Sequence, residues 1–281
     1  MNKIIDGSYY STKVKEEVRL EIEEYLKHGK RVPTLAVVIV GDNKASHIYV
    51  KSKEKACALV GINTFTIALD ENISNQELID EVIKLNMDSN VDGILVQLPL
   101  PKHLDEDLVI NNISPNKDVD GLTLMNIGKL HANKKGFVPC TPKGIMYLLD
   151  QLNFDYTGKK AVVIGRSKLV GSPIAKLLLD RNCTTTIVHS KTKDLKKECQ
   201  SADILVCAIG IPEYITSEYI KENAIVIDVG INRLEDKIVG DVNYQDCYNL
   251  VSHITPVPKG VGPMTIAMLL KNTLEAYKLG G

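Results

Sequence analysis

Apolar runs of strand length alternate with amphipathic stretches along the chain. The run "TLAVVIVG" at residues 34–41 is continuously apolar, lies between Pro33 and a closing glycine, and is typical of a strand covered on both faces. Residues 45–60 show helical spacing, and Gly61 is a typical C-terminal stop. The pattern therefore predicts a buried strand followed by a helix.

The alternation continues in the next segment. "INTFTIAL" predicts a strand, and Ser74 followed by Glu77 forms a capping box that predicts a helix to about Met87. "VDGILVQLPLP" then predicts a strand that ends in two prolines. This βαβαβ order is typical of a parallel α/β sheet.

A second α/β cycle begins after residue 140. "TPKGIMYLLDQL" predicts a helix, "KKAVVIG" a strand, and "RSKLVGSPIAKLLLD" a loop and helix. "TTTIVHS", "ILVCAIG" and "AIVIDVGIN" predict further strands, "DLKKECQSAD" is mostly helical, and "GPMTIAMLLKNTLEAYKL" predicts a final amphipathic helix. We therefore expect two α/β lobes, whose boundary lies between residues 120 and 141.

Composition narrows the function classes. The 281 residues carry a formal net charge of -1, so no global field attracts nucleic acid or an anionic membrane. The apolar runs are too short to span a bilayer, and the N-terminus has neither a signal core nor a transit pattern, which favours a cytoplasmic protein. The six cysteines form no CxxC pair, and we expect buried or free thiols without a metal.

The segment "VVIGRSKLVGSP" is the strongest candidate for binding a phosphate. A strand ends at Gly165, and Gly171 opens a helix, whose unpaired N–H groups favour a pyrophosphate. Ser167 stands where a second glycine is usual, so spacing alone leaves a plain strand–helix turn open. The next strand ends near Ser190 without an acid, and Arg166 is available for a 2′-phosphate, which favours NADP over NAD. The alternative is that Ser190 caps the next helix.

Polar residues at two other places suggest a ligand site in the first lobe. In "KDVDGL", Asp118 and Asp120 precede a glycine, which is either a plain Asx turn or a carboxylate that binds a heterocycle. Gln97 stands where an apolar strand ends, and ligands bind at that edge of α/β sheets. Each signal alone is weak.

The helix "HIYVKSKEKACALVGI" contains three alternating lysines. Helical spacing places Lys53 on the mostly apolar face with Tyr49, whereas Lys51 and Lys55 point elsewhere. A lysine removed from water can act as a base near neutral pH. The alternative is a lysine that snorkels at the edge of the core.

Taken together, seven collinear motifs resemble one family. These motifs are "YVKSKEKACALVGI", "VDGILVQLPLP", "KDVDG", "PCTPKGI", "GRSKLVGSP", "IVIDVGIN" and "TPVPKGVGPMTIAMLL". They resemble those of bifunctional methylenetetrahydrofolate dehydrogenase/cyclohydrolase over nearly the whole chain. The resemblance implies oxidation of 5,10-methylenetetrahydrofolate with NADP and hydrolysis of the methenyl product to 10-formyltetrahydrofolate, a step of one-carbon metabolism linked to purine biosynthesis.

The resemblance also implies an architecture and a set of functional residues. It implies a folate lobe at residues 1–122 together with a C-terminal helix, about 263–281, that packs back on it. A Rossmann-like NADP lobe then spans residues 140–260, and a homodimer is expected. The implied catalytic residues are Lys53, Tyr49, Gln97 and Asp120. The implied cofactor residues are Gly165, Arg166, Ser167, Ser190, Ile231 and Thr265. The implied substrate residues are Tyr49, Gln97, Leu98, Pro99, Asp120, Gly262 and Pro263.

Two positions depart from the family pattern. Three other functions also remain open. Lys259 stands where the family often has glycine, and we expect it to be solvated; Ser172 stands where a bulkier or basic residue is common. The alternatives are a dehydrogenase without cyclohydrolase activity, a non-catalytic NADP- or folate-binding regulator, and a different Rossmann oxidoreductase. The joint presence of Tyr49, Lys53 and Gln97 argues against the first.

Overall fold

The computed structural model describes residues 3–280. Within these residues the helices are α1 (Gly7–Lys27), α2 (Lys44–Val60), α3 (Asn75–Met87), α4 (Glu106–Asn111), α5 (Leu124–His131), α6 (Cys140–Asp150), α7 (Gly171–Asp180), α8 (Leu195–Gln200), α9 (Tyr244–Cys247) and α10 (Val261–Gly280). The strands are β1 (Thr34–Val40), β2 (Asn63–Leu69), β3 (Gly93–Val96), β4 (Lys160–Ile164), β5 (Thr184–Val188), β6 (Ile204–Cys207), β7 (Ile225–Asp228), β8 (Asn232–Leu234), β9 (Lys237–Val239) and β10 (His253–Ile254).

The chain divides into two compact units, each with its own parallel sheet. Thr12–Cys140 and the chain from Ile266 onward form what we call the three-stranded unit. The chain up to Ser11 and Thr141–Thr265 form the five-stranded unit. Two parallel α/β sheets confirm the predicted fold class.

The three-stranded unit has the strand order β2-β1-β3, and both pairings are parallel. Its central strand β1 is buried from Leu35 to Val40, as the continuous apolar run predicts. Asn43 caps α2 with its side chain, and Gly61 ends the helix in the left-handed region at φ 82°. The capping box of α3 is also present, with Ser74 and Glu77 each bonding the other's backbone.

Strand β3 is shorter than the apolar run that predicts it. It ends at Val96, although the backbone N–H of Gln97 still donates to the Val38 carbonyl at 2.8 Å. Pro99 and Pro101 lack the N–H that a further ladder bond needs, so the run leaves the sheet here. Gln97 consequently lies just beyond the carboxyl end of β3.

The later part of α10 packs on the three-stranded unit, as predicted. The buried Asn272 amide donates to the carbonyl oxygens of Val119, at 2.8 Å, and Val138, at 3.2 Å. These bonds satisfy carbonyls outside regular structure, on either side of α5. The helix therefore supports the loop that contains Asp120.

The five-stranded unit has the order β10-β7-β6-β4-β5, with every pairing parallel. Strands β4, β6 and β7 are buried almost throughout, which explains their continuous apolar sequence. Because all strands run the same way, the segments that follow them meet at one edge. Ligands of doubly wound sheets bind at this edge.

The cysteine side chains lie in the interior of both units. All six cysteines are buried and none forms a disulfide bond within residues 3–280, and burial raises the pKa of the Cys57 and Cys199 thiols to about 12. No helix within residues 3–280 combines the length and apolar character needed to cross a membrane. Within the same range, no three acidic, histidine or cysteine side chains cluster as metal ligands.

Candidate functional site

Helix α2 presents its three lysines differently. Lys53 is partly buried, whereas Lys51 and Lys55 are exposed. Tyr49, one turn earlier on the same face, is 45% exposed, so its ring is available to a ligand. The lysine that helical spacing separates from the other two is the one that faces the protein.

Lys53 is held by a side chain from the end of β3. Its Nζ donates to Gln97 Oε1 at 2.9 Å. The other end of the Gln97 amide donates to the Leu98 carbonyl at 2.6 Å. This second bond fixes the amide orientation, so the oxygen faces the lysine. Pro99, the next predicted substrate residue, is exposed.

The two aspartates of the loop "KDVDGL" differ in burial and in hydrogen bonding. Asp118 is buried, and its carboxylate accepts from Leu122 N at 3.1 Å, Thr123 N at 2.8 Å and Asn126 Nδ2 at 2.8 Å. The Asx-turn interpretation therefore describes Asp118. Asp120 makes none of these bonds and remains partly exposed.

The surroundings of Asp120 raise its pKa. Removal from water is the largest cause, and the Asp118 charge adds to it. The Lys53 charge and a hydrogen bond with the Cys140 thiol oppose these effects. Asp120 is thus electrostatically coupled to Lys53, and the three-stranded unit brings together a carboxyl, an amine and an amide.

The turn after β4 closes around two glycines. Gly165 has φ 118°, and a Cβ there would overlap the Ala208 carbonyl oxygen, while a Cβ on Gly171 would overlap the Gly165 carbonyl. Ser167 Oγ accepts from the N–H groups of Val170, at 3.2 Å, and Gly171, at 3.3 Å. The geometry is a cradle at the N-terminus of the ten-residue α7, into which side chains do not fit.

The segments after β4 and β5 present exposed polar groups. Arg166 and Ser190 are both exposed. The Ser190 hydroxyl has no hydrogen-bond partner within residues 3–280, and α8 begins only after Asp194. The alternative in which Ser190 caps that helix is therefore wrong. Thr192 Oγ1 instead accepts from the His189 N–H at 2.9 Å and orders this turn.

The remaining predicted residues also lie in the five-stranded unit. The Ile231 side chain is 53% exposed, and its Cδ1 lies 3.7 Å from the place of a Cβ on Gly262. The hydroxyls of Thr265 and Thr141 are hydrogen-bonded at 2.9 Å. The Pro263 carbonyl accepts from Ser11 Oγ at 3.0 Å. The fold thus places the predicted cofactor residue Ile231 next to the predicted substrate residue Gly262.

Two buried acids at the edge of the larger sheet were missed by the sequence interpretation. Asp228 is 3% exposed and Asp241 is fully buried. The available signal was an acid one or two positions from a glycine in "DVG" and "GDV". Such pairs are common in surface turns, so the pattern alone does not indicate burial.

Comparisons with known proteins match both units. Residues 5–120 match a family model described as tetrahydrofolate dehydrogenase/cyclohydrolase, catalytic domain, and residues 139–280 match its NAD(P)-binding domain. The bifunctional protein FolD of Acetivibrio thermocellus is 54% identical over 278 residues, covering 99% of this chain and 97% of that protein.

Solved structures give the same result. The bifunctional FolD enzyme of Campylobacter jejuni superposes with a TM-score of 0.96 at 47% identity, covering 98% of each chain. The Trypanosoma brucei dehydrogenase-cyclohydrolase, solved with NADP and an inhibitor, has a TM-score of 0.94 at 38% identity, covering 98% of this chain and 97% of that one. The similarity extends over both units.

Proposed function

We propose that this chain, which belongs to the tetrahydrofolate dehydrogenase/cyclohydrolase family, oxidises 5,10-methylenetetrahydrofolate with NADP and hydrolyses the methenyl product to 10-formyltetrahydrofolate. The observation that carries the proposal is the hydrogen bond between Lys53 and Gln97 at 2.9 Å, in electrostatic range of Asp120. The names of its relatives, which describe bifunctional enzymes, support both activities.

The five-stranded unit fits a dinucleotide. The two overlapping Cβ positions mean that only glycine leaves the cradle at Gly165 and Gly171 open to a pyrophosphate. Arg166 and Ser190 would hold the 2′-phosphate, since one supplies a planar cation and the other an unoccupied hydroxyl. Ser167, Ile231 and Thr265 are the other proposed contacts. When bound, NADP supplies the hydride acceptor.

The first reaction depends mainly on positioning. Loss of a hydride from the bridging CH2 leaves a cation that the two folate nitrogens share, so no strong base is needed. Asp120, when ionised, accepts from the N–H and amino groups of the pterin and fixes its orientation. Tyr49, Leu98 and Pro99 are proposed substrate contacts in the same unit, and Gly262 and Pro263 are proposed contacts in the other.

The second reaction assigns a task to Lys53. A water oxygen bonds to the methenyl carbon, a carbon–nitrogen bond of the ring then breaks, and one proton is released overall. We propose that the amine of Lys53 accepts the proton of the attacking water and passes it to the leaving nitrogen. Gln97 holds the amine in place, so the lysine needs no rearrangement at each turnover.

One assay tests the proposed function. Methylenetetrahydrofolate is added with NADP or NAD in turn, while absorbance of the reduced nicotinamide and of the methenyl compound is followed. We expect reduction with NADP and transient methenyl absorbance. A separate assay supplies the methenyl compound without a cofactor and measures the 10-formyl product.

The two assays distinguish the alternatives. Reduction of NADP without formation of the 10-formyl product would indicate a dehydrogenase alone. Binding of both ligands without turnover would indicate a regulator. No reduced cofactor with either nucleotide would contradict the proposed function.

We also propose a homodimer in the cytoplasm that supplies one-carbon units for purine biosynthesis. The 25% of charged residues and the burial of the apolar strands β1 and β4 support a protein that works in water. The domain limits at residues 1–122 with 263–281, and 140–260, stay predictions. Light scattering at micromolar concentration would test the dimer, since a monomer mass would contradict it.

A further inference from the structure

Two aspartate side chains are buried at the carboxyl edge of the five-stranded sheet. Asp228 is the last residue of β7, and Asp241 follows β9. No ion pair within residues 3–280 involves either of them. Burial of an unpaired carboxylate is costly, so hydrogen bonds must compensate for the lost water.

Four N–H donors compensate for the burial of the Asp241 side chain. Its Oδ2 accepts from the backbone N–H groups of Ile209, at 2.7 Å, and Gly210, at 3.1 Å. Its Oδ1 accepts from Ile211 N at 3.0 Å and from Asn232 Nδ2 at 2.9 Å. One side chain therefore joins residues 209–211, which follow β6, to residue 232, which follows β7.

Asp228 holds Asp241 in turn. Its Oδ1 accepts from the backbone N–H groups of Gly230, at 3.0 Å, and Asp241, at 2.9 Å, and its Oδ2 accepts from Val242 N at 2.9 Å. A Cβ on Gly240 would overlap the Asp228 carboxylate. Because Gly240 has no side chain, Asp228 and Asp241 can approach each other. This explains why the residue before Asp241 is a glycine.

The joined segments lie beside residues proposed to hold the cofactor. Ala208, immediately before residues 209–211, places its carbonyl against Gly165 of the phosphate cradle. Asn232 follows the exposed Ile231. Both segments leave neighbouring strands at the edge where dinucleotides bind.

We propose that Asp241 is a positioning residue for the dinucleotide: it fixes the segments after β6 and β7 in the arrangement that receives NADP. The inference rests on the proposed function. Without the carboxylate, up to four N–H donors lose their acceptor, and each segment gains freedom that cofactor binding must then remove. The loss of order should lower the affinity for the cofactor. It should not affect the Lys53–Gln97 pair, because that pair lies in the three-stranded unit.

The test is Asp241→Asn, which keeps shape but turns an NH2 group toward two donors. We expect the KM for NADP to rise about tenfold or more, because bonds to a charged acceptor are lost. The kcat at saturating NADP and the cofactor-free cyclohydrolase rate should stay at wild-type values. An unchanged KM for NADP, or an equal loss of both activities, would overturn the proposal.

Asp203→Asn is the matched control. Asp203 also accepts from a backbone N–H, that of Lys160 at 2.8 Å, but at the amino edge of the same sheet. It should leave the KM for NADP unchanged, and a rise equal to that of Asp241→Asn would indicate a general loss of stability and overturn the proposal. A wild-type protein that reduces neither nucleotide would instead contradict the proposed function.

A second variant covers the case in which Asp241→Asn does not fold. Asn232→Leu removes one of the four donors and leaves the carboxylate its three backbone bonds. We expect a smaller rise in the KM for NADP with an unchanged cyclohydrolase rate. Wild-type KM in this variant, measured on protein with a native circular dichroism spectrum, would overturn the proposal.

Discussion

Replacement of Gln97 by leucine tests whether Lys53 needs its amide partner. Leucine occupies a similar volume but cannot accept the bond from Lys53 Nζ, which is 2.9 Å long. A typical hydrogen bond contributes about 0.5–1.5 kcal/mol, which corresponds to roughly 2- to 13-fold in rate if fully expressed in the transition state. Because Lys53 is partly exposed and water can replace the amide, we expect a loss of cyclohydrolase kcat toward the lower end of this range, about threefold.

The assay follows decay of the methenyl compound without a cofactor, beside dehydrogenase turnover with saturating NADP. The dehydrogenase kcat should fall much less, because hydride loss requires no base. Gln76→Leu is the matched control, since the amide of Gln76 bonds Asp80 at 2.8 Å on the exposed face of α3 in the same unit. Wild-type hydrolysis in Gln97→Leu, or equal loss of both activities, would refute the role of the amide.

Three further predictions concern the five-stranded unit. Gly165→Ala should raise the KM for NADP by about tenfold or more, because its Cβ would overlap Ala208 and displace the phosphate-binding turn. Gly158→Ala is the control, since Gly158 has φ 72° but open space around it. It should leave KM unchanged and cost only about 1 kcal/mol of stability in urea unfolding. Burial raises the pKa of Asp228 to about 7, so the native state retains a proton that the unfolded state releases above about pH 4. The unfolding free energy of the wild type, relative to Asp228→Asn, should therefore fall by about 4 kcal/mol as pH rises from about 4 to 7; a pH-independent difference in urea titrations would contradict this. Lys259 has φ 84°, and Lys259→Gly should raise the melting temperature through a gain of roughly 0.5–1 kcal/mol; a decrease would indicate that its side chain makes a stabilising contact.

Much of the fold could be predicted from local pattern. The covered strands of both sheets are continuous apolar runs, and the ends of α2 and α3 carry their signals in Gly61, Ser74 and Glu77. These signals act between residues that are close in the chain, so they can be identified from the sequence alone. Elements without them were missed, among them the 21-residue α1, the exposed hairpin of β8 and β9, and the two-residue β10. The short helices α4, α5 and α9 were missed as well, although each has a side-chain N-cap.

The candidate site could be predicted from the sequence only in part. Helical spacing separated Lys53 from Lys51 and Lys55, but its partner Gln97 is 44 positions away, and nothing local indicates the bond. In "KDVDG" the two aspartates are equivalent by type. Only hydrogen bonds from Leu122, Thr123 and Asn126 show that Asp118 forms the turn and leaves Asp120 partly exposed.

The sequence by itself determined the alternation of strands and helices, the glycine turn after β4 and the lysine face of α2, because periodicity, capping and backbone freedom depend on neighbours in the chain. Only the tertiary structure decided which polar groups lose water and find partners. Asp241 illustrates the difference: its four donors come from residues 209–211 and 232, which the parallel sheet brings to one edge. Burial and hydrogen bonding are properties of that packing, and they give an acid in an ordinary "GDV" turn a specific task.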